Sequence, residues 1–69
     1  MMAEDYQLRV IEEKREIDKK IIALTSFIHS EKSPLVKITD AESERLERQL
    51  YIMIEYSKVL RQRIYAFEV

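Results

Sequence analysis

A single proline, Pro34, separates two long stretches that contain no other helix breaker, because the chain has no glycine at all. From about Ala3 to Ser30 the residues are good helix formers. Val10, Ile17 and Leu24 recur every seven positions, Ile21 and Ile28 fill the row between them, and only Lys14 interrupts this stripe. Leu8, Ile11, Ile22 and Phe27 lie off it. Residues 31–38 form the connection. Pro34 biases Ser33 away from helical backbone, and the apolar Leu35, Val36 and Ile38 are expected to fold back over the hairpin end.

The second stretch opens on Thr39-Asp40-Ala41-Glu42, a capping box in which the Thr39 hydroxyl accepts from a first-turn N–H and Glu42 reaches back. The helix is expected to run to about Phe67. Its stripe is Leu46, Leu50, Met53, Leu60 and Ile64, with Ser57 as the polar break. Tyr51, Ile52, Ile54, Tyr56, Val59, Tyr65 and Phe67 lie beside or opposite that stripe. Two helices of about 40 Å joined by a short loop predict an all-α antiparallel hairpin, one domain over residues 1–69.

Such a hairpin is thin. A chain of 69 residues gains little from one core, and small domains are usually reinforced by disulfides, a metal or self-association. There is no cysteine, and His29 is the single histidine, so neither a disulfide nor an all-protein metal site is expected. Self-association remains. The off-stripe apolar and aromatic residues make a patch larger than a soluble monomer tolerates, which predicts at least a dimer.

Composition narrows the function further. The charged fraction is 36% but the net charge is only −1, unlike the basic excess of a duplex DNA binder. Without glycine, no phosphate-cradling loop of the P-loop or Rossmann type can form; side chains or helix N-termini must hold any phosphate. The first residues lack a signal peptide's basic and apolar regions, and no apolar run approaches the roughly 20 residues that span a bilayer. An intracellular protein with no membrane partner and no cofactor is expected.

In the acidic pairs Glu12/Glu13 and Asp40/Glu42, Glu12 and Glu42 have an arginine three residues on, and both pairs read as solvated ion-pairing groups rather than as catalytic carboxyls. His29 suits the C-terminal dipole of the first helix, and no spacing promises a nucleophilic triad around it. Enzyme activity is not expected. Tyr51 and Tyr65 suit an interface. Tyr6, beside Gln7 and Arg9, has two readings: a terminal ring packed on a neighbour, or a platform for stacking a nucleobase beside a cation. Lys19, Lys20, Arg61 and Arg63 are either solvated or part of an anion trap. Antiparallel pairing puts Arg61 and Arg63 near the level of residues 6–10, where arginines at subunit junctions can capture a compact polyanion.

Residues 6–21, YQLRVIEEKREIDKKI, resemble the YQxRVxxEKxELDxKI opening of a family of small tailed-phage proteins. Residues 46–64, LERQLYIMIEYSKVLRQRI, resemble its second helix, LxxQLxxMxxYSxxLxxRI, and Phe27 matches the LxxF position that ends its first. That family includes anti-CBASS sponges and shares its hairpin with an anti-Thoeris sponge. The resemblance implies a homo-oligomer, a hexamer in the family, that captures cyclic di- or trinucleotides without cleaving them in the cytoplasm of the infected bacterial host. It also implies that Tyr6 stacks on a base, that Lys20 or its neighbour Lys19 contacts the ligand, and that Arg61 or Arg63 serves a trinucleotide site that Thr25 would line. Arg9 would add charge beside Tyr6. A second reading, from a different class, is a structural adaptor that docks on another protein through its Tyr/Ile-rich face.

Overall fold

A computed structural model describes residues 5–30 and 38–67. The chain forms two helices, α1 (Asp5–Ser30) and α2 (Asp40–Ala66), packed against each other as a hairpin. Residues 31–37, on which the expected roles of Pro34, Leu35 and Val36 rest, lie outside the described residues.

Local chemistry sets the ends of α2. Thr39 is its N-cap, with extended backbone (φ −72°, ψ 158°), and its Oγ1 accepts from the Glu42 N–H at 3.0 Å. This satisfies one of the N–H groups a helix start leaves without a partner. The Glu42 carboxylate is engaged sideways, with Arg45 Nε and Nη2 each 2.9 Å from its Oε1. Phe67 closes the other end, its N–H donating to the Ile64 carbonyl at 3.0 Å. In α1 the Ser30 hydroxyl donates to the Phe27 carbonyl at 2.9 Å, occupying an acceptor in the last turn.

The helices run antiparallel. Tyr6 meets Phe67 at the open end, Asp18 meets Ser57 midway, and Leu24 shares a groove with Gln49 toward the connection. Both contact stripes follow the three-four spacing of a coiled-coil seam. Val10, Lys14, Ile17, Ile21, Leu24 and Ile28 are the buried or half-buried positions of the α1 stripe, and Leu46, Leu50, Met53, Ser57, Leu60 and Ile64 those of α2.

Two helices can cover only a seam. Among the described residues just Val10 and Leu60 are buried, at 4% and 0% exposure. The molecule is a rod of 54 × 17 × 13 Å with a radius of gyration of 15.9 Å, against about 11 Å for a compact domain of this length. Its accessible surface is 5747 Å², whereas a compact monomer of this mass exposes about 4,600 Å². Large apolar and aromatic side chains are among what is exposed: Ile22, Tyr65 and Tyr51 are 68%, 65% and 64% exposed. No described helix is long and apolar enough to cross a membrane.

Candidate functional site

The seam divides the rod into two flanks, and the repeat of seven residues assigns side chains to them, since seven residues make almost two whole turns. One flank carries the row Tyr6, Glu13, Lys20, Phe27 of α1 and the row Gln49, Tyr56, Arg63 of α2. The other carries Ile11, Asp18, Thr25 of α1 and Glu47, Ile54, Arg61 of α2. A concavity opens on each. The first, about 490 Å³, has an apolar floor of Ile17, Ala23, Leu24 and Met53 with Lys20 and Gln49 at its sides. The second, about 160 Å³, is lined by Lys14, Ile21, Ile54, Ser57, Lys58 and Arg61.

This geometry sorts the candidate residues. Arg61 and Arg63 are two positions apart on a helix and therefore point about 200° apart; they cannot serve one site within a chain. Arg63 lies on the flank of Tyr6 and Lys20. Arg61 shares the opposite flank with Thr25, five residues and about 140° round from Lys20. Lys19 and Lys20 also differ. The Lys19 ammonium is 3.8 Å from the Glu16 carboxylate, while Lys20 lines the larger concavity. Among the described residues Arg9, Lys20, Arg61 and Arg63 have no acidic partner, in contrast to Lys14, Arg15, Lys19, Arg45 and Lys58. Unpaired cations beside exposed aromatic and aliphatic side chains can hold a ligand that is both anionic and planar.

Tyr6 packs edge-to-face on Phe67, with ring centroids 5.6 Å apart and planes at 82°, and stays 55% exposed. One turn on, Arg9 sits on the same flank, and Arg63 precedes Phe67 by one turn. Tyr6, Arg9 and Arg63 thus gather at the open end. Lys20 does not join them: fourteen residues separate it from Tyr6, about 21 Å along α1. The acidic residues behave as the spacing predicts, with Glu12 and Glu42 forming exposed i,i+3 pairs with Arg15 and Arg45. His29 is exposed in the last turn of α1.

One cluster went unassigned in the sequence. Lys14 and Ser57, the polar breaks in the two stripes, face each other. Lys14 Nζ donates to Asp18 Oδ2 at 2.6 Å and to Ser57 Oγ at 3.3 Å, while Ser57 Oγ donates to Asp18 Oδ1 at 2.6 Å. The hydrogen bonds from Lys14 and then from Ser57 hold the Asp18 carboxyl below its ordinary pKa, against a smaller opposing effect of burial. A carboxylate so stabilised is a poor base, and an ammonium is none, so the network anchors Ser57 rather than activating it. The signal was present: each stripe has a single polar break. What was missing was the alignment that pairs them.

A family model describing Sequestin matches residues 4–66. The chain belongs to the Sequestin family. That match spans both helices and the connection, and so covers every residue placed on the two flanks. No curated protein and no solved structure matches the chain.

Proposed function

We propose that this Sequestin-family hairpin assembles with copies of itself and sequesters a cyclic di- or trinucleotide second messenger, without cleaving it, so that CBASS-type immune signalling in an infected bacterial cell is blocked. The family's name denotes sequestration. One observation carries the nucleotide reading: Tyr6, Arg9, Lys20 and Arg63 share a flank, and none of the three cations is neutralised by an acidic partner among the described residues. An aromatic ring can stack on a base while free cations meet its phosphates.

The distances favour a site built by more than one chain. A base and its adjoining phosphate are separated by far less than the 21 Å or so between Tyr6 and Lys20 on one helix. A pocket that joins Tyr6 of one copy to Lys20 of another would bring both within reach of one base and its phosphate. Arg61 and Thr25, on the opposite flank, are the candidates for a second, trinucleotide site. The surplus of roughly 1,100 Å² over a compact monomer exceeds the ~800 Å² that each partner commonly buries in a stable complex, so self-association is in reach. A hexamer is the assembly we favour.

Isothermal titration of the assembled protein with a panel of cyclic di- and trinucleotides, combined with native mass spectrometry, tests this. The expected result is a closed homo-oligomer that binds at a fixed ligand-to-chain ratio and releases the ligand intact on denaturation. Absence of heat with every member of the panel rejects the nucleotide reading. A monomer or open dimer without ligand supports the adaptor alternative instead.

A further inference from the structure

The polar cluster between the helices has a role that the ligand reading does not require. Both stripes repeat every seven residues, so sliding α1 past α2 by one repeat, about 10 Å, brings apolar side chains back onto apolar side chains along most of the seam. Hydrophobic burial is non-directional and distinguishes these alignments weakly. The cluster distinguishes them sharply. In the observed alignment the Lys14 ammonium, in a side chain only 25% exposed, finds Asp18 and Ser57, and the Ser57 hydroxyl finds Asp18 across the seam. After a slip of seven residues Ser57 and the Lys14–Asp18 pair no longer meet. Lys14 then stands level with Leu50 or Ile64, where an incompletely bonded ammonium is costly, and Ser57 stands level with Gln7 or with Ile21 and Thr25, neither of which returns the Asp18 carboxylate.

We propose that Lys14, Asp18 and Ser57 form an alignment clamp that selects one register of α1 against α2, and so fixes which α2 side chains stand level with Tyr6, Arg9 and Lys20. The clamp acts on uniqueness more than on stability. A buried polar group often gives up stability relative to an apolar one and yields a single arrangement in return.

The chain has no cysteine, so spin labels attached at Arg15→Cys and Lys58→Cys, both exposed positions, report the helix-to-helix distance by pulsed electron resonance after dilution with unlabelled protein. The otherwise unaltered sequence should give one narrow distance. K14L/S57L, which makes both stripes continuous, should melt at the same or a higher temperature yet show a second distance population. K14M/S57A removes the same polar groups with less added bulk and should broaden the distribution likewise, which keeps the test valid if leucine at both sites prevents folding. Ser57→Thr, which keeps the hydroxyl, should retain the single distance. A single narrow distance in K14L/S57L or K14M/S57A overturns the clamp. So does a mixed population in Ser57→Thr, which would make the shape of residue 57, not its hydrogen bond, the determinant.

Discussion

Tyr6 and Phe67, near opposite ends of the chain, meet edge-to-face across the open end of the hairpin at 5.6 Å and 82°. The two readings of Tyr6 in the sequence are therefore compatible in one structure: the ring packs on a neighbour in its own chain and still keeps more than half of its surface accessible.

That contact makes the two roles separable. Phe67→Ala should lower hairpin stability by about 0.5–1.5 kcal/mol, the usual worth of such an aromatic pair beyond its buried area, and leave nucleotide affinity largely intact. Tyr6→Ala should lower stability similarly and also weaken the ligand by about 1–3 kcal/mol if the ring stacks on a base. Tyr6→Phe should behave as the parent in both assays. Thermal unfolding and titration calorimetry on the three variants check this, and equal losses of affinity in Phe67→Ala and Tyr6→Ala would make Tyr6 a packing residue.

Asp18 gives a pH dependence with a definite sign. Its folded carboxyl titrates below its ordinary value, chiefly because Lys14 and Ser57 hydrogen-bond to the ionised form. The stabilisation is complete above the unfolded pKa of about 3.9 and is lost as pH falls through the lower folded value. Its side chain is 41% exposed, so water screens the effect and it should be small. Asp18→Asn should be less stable than the parent at pH 7, and the gap should narrow as pH falls below the unfolded value of about 3.9 and through the lower folded one. Thermal melts across that range measure it; a gap constant with pH would mean that the ionised carboxylate contributes nothing.

The start of α2 offers a local test. Thr39 Oγ1 satisfies the Glu42 N–H at 3.0 Å, and loss of such a cap typically costs about 1 kcal/mol. Thr39→Ala should therefore lower Tm by about 4–8 °C at fixed protein concentration, and Thr39→Ser should restore most of it. The helical circular-dichroism signal at low temperature should stay close to the parent's in both.

The hairpin was legible in the sequence because its stripes are periodic and Pro34 and Thr39 mark a break and a restart. Val10 and Leu60, the two buried residues, belong to those stripes. Register was not legible, because a repeat of seven looks the same after a shift of seven. Lys14 and Ser57 consequently read as separate blemishes, although they meet. The candidate cations shared this difficulty. Helical spacing separates Arg61 from Arg63, and the repeat of seven puts Arg63 on the flank of Lys20, but only the alignment of the helices shows which of these residues stand level. It also shows Arg61 sharing a groove with Lys14. The salt bridge of Lys19 to Glu16 was open to inspection as an i,i+3 pair, whereas the apolar concavity beside Lys20 depends on Met53 and Gln49 arriving from α2.

Leu60 and Ile22 separate the forces that hold one chain from those that would join several in the proposed assembly. Leu60 is fully covered within a single hairpin. Truncating a buried leucine to alanine removes contacts and leaves a cavity, costing about 2–5 kcal/mol, much of what so small a fold is expected to have. Ile22 is 68% exposed in the same chain, so changing it removes almost nothing from the hairpin seam. A glutamate there, however, would place a charge in any apolar contact between copies, where burial without a partner is strongly unfavourable. Leu60→Ala should therefore lose helical signal and assembly together. Ile22→Glu should dissociate the proposed assembly, and whatever helicity survives in the isolated chains measures how far the hairpin would depend on its copies. Native mass spectrometry and circular dichroism across a hundredfold range of concentration follow both. An Ile22→Glu protein that remains as fully assembled as the parent at the lowest concentration would exclude this side of α1 from the contact between chains.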